Sequence, residues 1–311
     1  MSLYRIPRIS CLMIAGLAFI LAISNTVLAG GVGSSAAEFL NIAAGSRAAG
    51  FGGAYSSIAN DPSACYWNPA GLIDIKSSSL MLQHNEYFQD LKHEYVAFAS
   101  PMGNNGTLGF SISYLHMGSI LGYDANDAPT GDFKAYDIAY GISYGHKIND
   151  NIGFGAGVKN VRQSIAETKA SGWAFDAGFL YSFGNFNASL VAANFGPKIK
   201  YETDSFELPT EYRIGLSYSA EEWPVILSTE YGYGRDGSTR MALGAEYDLL
   251  NNFSIRSGYR PGNINDGDGS FAVGCGLNIW GQAIDYTFLP DADLGNSHRI
   301  SATITFSEFK K

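Results

Sequence analysis

Glycines, acidic pairs, histidines and serines are the residues of this sequence whose types could bind or transform a ligand. Gly153-Phe-Gly155-Ala-Gly157 has the glycine spacing of a phosphate-binding loop, but large and small residues keep alternating through it, which predicts a strand. The acidic pairs Asp266-Gly-Asp268 and Asp291-Ala-Asp293 could offer oxygen ligands to calcium. Neither pair fits the spacing of a known calcium loop, so we interpret them as solvated loop residues.

The remaining candidates do not form a catalytic or metal-binding pattern. The histidines lack metal-ligand spacing, and no Gly-x-Ser-x-Gly elbow has a plausible acid and base. The formal net charge of -9 and the absence of a basic run with interleaved aromatics argue against a nucleic-acid partner. We therefore expect no catalytic residue, metal or cofactor, and we predict that the protein is not an enzyme.

The first 29 residues have the features of a cleaved export signal. Arg5 and Arg8 precede an apolar run over 9–23, and Val27-Leu28-Ala29 offers small residues for cleavage before Gly30. The alternative is an uncleaved anchor, although the apolar run is shorter than the roughly 20 residues of a spanning helix. No later apolar run reaches that length, so any membrane insertion must use strands.

From residue 78 onward, large apolar side chains alternate with Gly, Ala, Ser or a charge. Tyr136, Ile138, Tyr140 and Ile142, for example, alternate with small or charged residues. This period of two is typical of β-strands. It predicts about fourteen strands, at 78–83, 93–101, 107–117, 134–146, 151–163, 172–183, 186–195, 210–219, 224–234, 239–248, 252–260, 269–279, 282–289 and 298–308.

The face opposite the large residues is mostly Gly, Ala and Ser with isolated charges, whereas a soluble sandwich would carry a richly charged face there. A barrel lumen accommodates such small residues, and sparse charges can pair inside it. We therefore predict an all-β, transmembrane antiparallel barrel over residues 78–311. The predicted lumen-facing charges are Asp137, Lys159, Asp176, Arg213, Glu246, Arg256, Asp285 and Arg299.

The connections support a membrane barrel, because those after even-numbered predicted strands are short and those after odd-numbered ones are long. The long connections include 118–133, 196–209, 261–268 and 290–297. Outer-membrane barrels show this alternation, with tight periplasmic turns and long external loops.

Residues 30–77 lack the two-residue period and are rich in small side chains, so we predict a small hatch inside the lumen. Asp61 before Pro62 and Asn68 before Pro69 each suggest a helix cap with proline in the first turn. Arg47 is a candidate to form a buried pair with Asp61, and Asn68 is a candidate gate as well as a cap. The full set of predicted hatch and gating residues is Asn68, Pro69, Ala70, Gly71, Leu72, Arg47, Asp61 and Gly53.

Four segments carry a resemblance to a known group of barrels. The runs Gly45 to Tyr55, Asn60-Asp61-Pro62-Ser63-Ala64 and Asn68-Pro69-Ala70-Gly71-Leu72 resemble the hatch of the long-chain fatty-acid transporter (FadL-like) superfamily. The ending Asp293 to Ser301 resembles the last hairpin of its PorV/PorQ branch. The superfamily resemblance implies a plugged fourteen-stranded barrel in the outer membrane.

The resemblance leaves three functions open. The PorV/PorQ branch implies a barrel for type IX-like protein secretion or a substrate carrier, with C-terminal signals of exported proteins as partners, and the resemblance of the last hairpin makes this the main prediction. The fatty-acid branch implies a transporter that takes a hydrophobic small molecule into the lumen. A structural surface barrel is the third alternative. All three would contact outer-membrane lipid and depend on the barrel assembly machinery, and the third strand shows no proline that would open a lateral exit.

Two cysteines follow the predicted signal, and an exported protein could join them in a disulfide. Cys275 shares its parity with Phe271, Val273 and Leu277, so it should face lipid rather than Cys65 in the hatch. We therefore do not expect a bridge.

Overall fold

The computed structural model describes residues 35–87, 91–103, 105–124, 126–220, 223–250, 252–261, 270–290 and 296–306. The predicted signal peptide lies outside these residues, as do the acidic pairs at 266–268 and 291–293. Within the described part, no helix is long and apolar enough to cross a membrane.

Fourteen antiparallel strands close into a barrel, which confirms the predicted fold class and strand number. The seam joins β1 to β18, and β1 also pairs with β2. The strands in chain order are β1 (Ser79–Glu86), β2 (Lys92–Met102), β3 (Gly106–His116), β4 (Ile120–Tyr123), β5 (Pro129–Phe133), β6 (Ala135–Lys147), β7 (Ile152–Ile165), β8 (Thr168–Phe183), β9 (Phe186–Phe195), β10 (Ile199–Tyr201), β11 (Asp204–Phe206), β12 (Glu211–Ser219), β13 (Val225–Gly234), β14 (Thr239–Leu250), β15 (Phe253–Arg260), β16 (Ser270–Ile279), β17 (Gln282–Leu289) and β18 (Ser297–Thr305).

Two features of the loops differ from the prediction. The connection from β7 to β8 is a tight turn instead of a long loop, with Ala166 in the left-handed region at φ 51°. The connections over 117–134 and 196–210 contain the hairpins β4-β5 and β10-β11, which form two-stranded sheets of their own. The β10-β11 hairpin packs against the barrel, because Ile199 is buried in one cluster with Ala170 and Ala174 of β8. Pairing continues in these places although the apolar alternation has ended, because strands outside the hydrocarbon need no apolar outer face.

The two faces of each strand divide as the alternation predicts. On β6, Tyr140 and Ile142 are 44% and 50% exposed, whereas Ala139 and Ser143 are 3% and 4% exposed. The exposed outer surface is therefore apolar and suits a hydrocarbon environment, while the small residues face the interior. The short turns after β2, β6, β8, β12, β14 and β16 share one end of the barrel, called here the inner end; the opposite end is the outer end.

The described part of the hatch, residues 35–77, lies inside the barrel. It contains a 3-10 turn at Glu38–Asn41, helices α1 (Ser46–Gly50) and α2 (Ala64–Trp67), and a 3-10 helix at Pro69–Asp74. Its own core is aromatic: the ring of Tyr55 lies 5.9 Å from both Phe51 and Trp67, centroid to centroid. Trp67 Nε1 also donates to Ala44 O at 2.7 Å, which satisfies the buried indole.

Glycines of the wall let the main chain of the hatch approach closely. A Cβ at Gly155 on β7 would overlap the backbone of Pro69, and one at Gly258 on β15 would overlap that of Gly52. The glycines at 153–157 thus belong to a strand that packs against the hatch, which agrees with the prediction that they form no phosphate-binding loop.

Candidate functional site

Asn68 joins the hatch to the barrel wall. Its Oδ1 accepts from Ala70 N at 3.0 Å and so caps the 3-10 helix that Pro69 begins. Its Nδ2 donates to Ser56 O in the hatch at 2.9 Å and to Phe179 O on β8 at 3.3 Å. The side chain is fully buried. One amide therefore caps the 3-10 helix and also bonds to the wall, while its role as a gate stays a prediction.

The residues after Asn68 fill the space between β6, β7 and β8. Pro69, Ala70, Gly71 and Leu72 are all buried. Gly71 is required where it stands, because a Cβ there would overlap Ala59 O of the same hatch. This segment covers the part of β6 and β7 near the inner end from within the lumen.

Arg47 anchors the opposite side of the hatch, and the predicted pair between Arg47 and Asp61 is wrong. Arg47 binds the wall residue Glu246 on β14 with two bonds, from Nε to Oε2 at 2.9 Å and from Nη2 to Oε1 at 2.7 Å. Asp61 instead caps its own turn, where Oδ1 accepts from Ser63 N at 2.8 Å, and its Oδ2 accepts from the Tyr55 hydroxyl at 2.6 Å. Among the described residues, the Tyr55 hydroxyl links Arg47 and Asp61: it accepts from Arg47 Nη1 at 3.2 Å and donates to Asp61.

Glu246 continues into a chain of buried charges along the wall. Arg256 on β15 donates through Nε to Glu246 and through Nη1 to Asp285 on β17, the latter at 2.6 Å. The ion chain Arg47-Glu246-Arg256-Asp285 alternates in sign, so each charge has an oppositely charged neighbour. The hatch is thereby tied to three strands through one arginine.

The other predicted lumen charges also point inward but form separate contacts. Lys159 lies 2.9 Å from Asp176, and Gln163 Nε2 donates to Asp137 at 3.0 Å. The Arg213 guanidinium donates to Tyr66 O at 3.1 Å. Arg299 donates to the hatch carbonyl of Ala43 at 3.2 Å and to the Tyr87 hydroxyl at 2.9 Å.

Gly53 lies where a side chain would be strained. Its φ is +87°, and a Cβ there would come within 3.0 Å of Arg240 Nη1 and 3.2 Å of Arg260 Nη2. Arg240 and Arg260 are among the inward charges that were missed in the sequence, together with Glu211 and Glu230. Arg240 bridges Glu211 and Glu230 at 2.9 and 3.2 Å.

The alternation of inward and outward positions along each strand is the sequence signal that could have identified these inward charges. Glu230 shares the inward face of β13 with Ser228, and it accepts from the hatch amide of Ser56 at 2.8 Å.

The two cysteines lie on different sides of the wall. Cys65 is buried in the hatch, and burial raises the pKa of its thiol to about 12. Cys275 lies on the outward register of β16 between the exposed Val273 and Leu277, as its parity predicts. Both are free thiols.

A cavity of about 360 Å³ opens on the lipid side of the wall next to Asn68. Apolar outward side chains such as Phe154, Leu190 and Ile214 line it, and Gly178 of β8 forms part of its surface. A Cβ at Gly178 would overlap Asn68 Oδ1 on the inner side. The hatch and the bilayer are therefore separated here by one thickness of backbone.

Within the described residues, no group of three His, Cys, Asp or Glu side chains could hold a metal ion.

Several solved barrels share this fold. The solved structure of the P. putida toluene transporter TodX superposes with a TM-score of 0.63 at 12% identity, over 84% of this chain and 98% of that one. The chain has the fold of FadL-type barrels. A Pseudomonas aeruginosa FadL homologue gives a TM-score of 0.61 at 14% identity, over 85% and 98% of the two chains. The Ralstonia pickettii toluene transporter TbuX gives 0.59 at 14% identity, over 84% and 96%.

At the level of sequence, the profile of the uncharacterised protein family UPF0164 matches residues 21–174. No curated protein sequence matches the chain. The likeness to the solved barrels is therefore one of fold.

Proposed function

We propose that this barrel transports a hydrophobic small molecule across the outer membrane and that the hatch is its gate. The observation that carries the proposal is a lumen filled by a hatch that hydrogen bonds and an ion pair hold against the wall. The apolar exterior and the shared fold with hydrocarbon transporters support the membrane location and the class of ligand.

The wall around the hatch favours movement over permanent closure. At Gly155 and Gly258 the backbone of the hatch lies directly on the wall, without interlocking side chains. Its attachment combines polar contacts, such as Asn68 with Phe179 O and Arg47 with Glu246, with apolar packing of Phe39 against the wall residues Ala139 and Val161. Releasing one such hydrogen bond costs less than opening a cavity in an apolar core.

Protein secretion is the less supported alternative, because the comparisons do not support the PorV/PorQ assignment. It rests on the resemblance of the segment from Asp293 to Ser301. The described part of that segment begins β18, where Arg299 contacts the hatch through Ala43 O. This contact would hold the hatch in a barrel of either branch, so it does not favour secretion over transport.

The test is uptake by cells of a Gram-negative host that lacks its own transporter of this type. Cells that express the barrel should accumulate radiolabelled hydrophobic ligand saturably and faster than cells with an empty vector. We expect Asn68→Ala to raise ligand exchange and ionic leak, because it removes the bond to Phe179 O and the cap on Ala70 N.

Asn278→Ala, at the exposed end of β16, is the matched control and should leave uptake and leak unchanged. Unchanged conductance and uptake in Asn68→Ala would refute the gate. Uptake equal to that of the empty vector would refute transport.

A further inference from the structure

The cavity on the lipid side of the wall beside Asn68 is suited to a hydrocarbon chain. Small outward side chains at Ala177 of β8 and Ala192 of β9, which lie opposite each other in the ladder, leave a depression among larger apolar ones. Its volume of about 360 Å³ lies in the range of small-molecule sites, and its lining is almost entirely apolar. This cavity is called here the chain groove.

The chain groove lies about one lipid leaflet below the outer rim of the apolar belt. Ala177 pairs with Ala156 on β7, and Arg162 is six residues further along the same face of that strand. Six residues of strand span about 20 Å, or about 15 Å along the membrane normal at the usual tilt of a barrel strand. This is about half of a hydrocarbon core that is roughly 30 Å thick. A lipid with its head group at Arg162 can therefore place the end of a chain in the groove.

Two basic side chains lie on the outward face of the wall at the outer end of β7 and β8. Arg162 and Lys169 are both exposed, and they occupy adjacent outward rows of the β7-β8 ladder. The guanidinium carbon of Arg162 lies 6.0 Å from the centroid of the Tyr140 ring, and its Nε donates to Asn160 Oδ1 at 3.0 Å. These contacts hold the guanidinium group against the outer surface of the barrel.

No carboxylate of the wall compensates these two cations. In the described part of the chain, neither of them forms a salt bridge, and no outward position of β6, β7 or β8 holds an acidic residue. At the outer end of β2, by contrast, Lys92 lies opposite Glu86 and next to Glu94 on the same face. A chain with a formal net charge of -9 therefore keeps this one outward sector basic.

We propose that this sector binds a lipid with a phosphate head group from the outer leaflet. The head group lies at Arg162 and Lys169, and one acyl chain lies in the chain groove. Guanidinium and ammonium groups donate charge-assisted hydrogen bonds to phosphate oxygens. A soluble anion would fit the cations and leave the groove empty, whereas a neutral hydrocarbon would fill the groove and leave the cations unpaired. A lipid supplies both groups at the observed spacing, and the site does not depend on the transport function.

Trp173 provides a natural reporter for this lipid. It lies on the outward face of β8 between Lys169 and Ala177, and it is 53% exposed. The full-length barrel with Trp223→Phe and Trp280→Phe, called here the parent barrel, would be reconstituted in phosphatidylcholine vesicles with increasing fractions of brominated phosphatidylglycerol or brominated phosphatidylcholine. Bromine quenches tryptophan fluorescence only at short range, so the two quenching curves give the relative affinity of the two lipids for the surface around Trp173.

We expect the parent barrel to prefer phosphatidylglycerol at least about fivefold, which is the contribution of one basic residue near a membrane surface. The double variant Arg162→Gln/Lys169→Gln should lose this preference, whereas the control Lys92→Gln should keep it. Ala177→Leu fills the chain groove and should also reduce the preference, to less than about twofold. Its control is Ala245→Leu, at an outward position of β14, which should behave like the parent barrel.

Equal affinity of the parent barrel for the two lipids would overturn the proposal, and so would a preference that survives in Arg162→Gln/Lys169→Gln. A preference that is unchanged in Ala177→Leu would overturn it as well, because surface charge alone would then explain the selectivity. If neither lipid quenched Trp173, another molecule, such as a second copy of the chain, would cover this face, and the proposal would be wrong. Heat-modified gel mobility identifies a misfolded variant, and Ala192→Leu then replaces Ala177→Leu.

Discussion

Replacing Glu246 by Gln should increase the fraction of molecules in which the hatch is displaced from the wall. The Glu246 side chain is 5% exposed and lies between Arg47 of the hatch and Arg256 of the wall. Removing one member of a buried ion pair costs about 3–5 kcal/mol, because the partner charge stays buried. Arg256 keeps Asp285, so most of this cost falls on the docking of Arg47. The population with a displaced hatch should rise roughly a hundredfold or more.

The Cys65 thiol reports that population. It is buried in the hatch with its pKa raised to about 12, so a water-soluble maleimide reaches it only after the hatch moves. The assay measures the alkylation rate of the purified barrel in a Cys275→Ser background. Glu94→Gln is the charge-matched control, since Glu94 pairs with His84 in an exposed position. A Glu246→Gln rate within about twofold of the unmodified barrel would refute the view that the ion chain holds the hatch.

Three further predictions test other contacts. Gly178→Ala should lower the free energy of unfolding in urea by about 1–3 kcal/mol, because the added methyl group overlaps Asn68 Oδ1. Gly118→Ala is the control and should have little effect, because its added methyl group meets no other atom. Equal stability of the two variants would contradict the close contact at Gly178. Trp67→Phe should lower the melting temperature, since it removes the indole bond to Ala44 O, and an unchanged melting temperature would show that the bond is dispensable. A lipid-soluble maleimide should label Cys275 before Cys65 in a time course followed by mass spectrometry. The reverse order would show that Cys275 does not lie on the outward face of β16.

The barrel could be predicted from the sequence because the bilayer imposes a local rule. Each strand must present large apolar residues to lipid at every second position, and residues such as Tyr140 and Ile142 on β6 follow that rule. The rule ends where the hydrocarbon ends. The turn at Ala166 and the hairpins β4-β5 and β10-β11 were therefore missed, since pairing there leaves no apolar alternation.

The candidate site could be predicted only in part. Parity places Glu246 and Arg299 on the lumen side, but it does not determine their partners. Arg47 lies 199 residues from Glu246 in the chain, and only the closed barrel brings them together. Asp61 was the nearer candidate by sequence, yet its carboxylate is occupied by its own turn at Ser63.

The glycine-lined interior sets opposite size rules for the two faces of a single strand. At an outward position such as Phe154 of β7, a bulkier side chain gains contact with lipid and displaces no protein atom. One position further along, at Gly155, even a methyl group would strike the main chain that runs past it. Larger side chains are therefore tolerated at the outward positions of the strand. At the inward glycines they are excluded, because the main chain of the hatch occupies the space next to them.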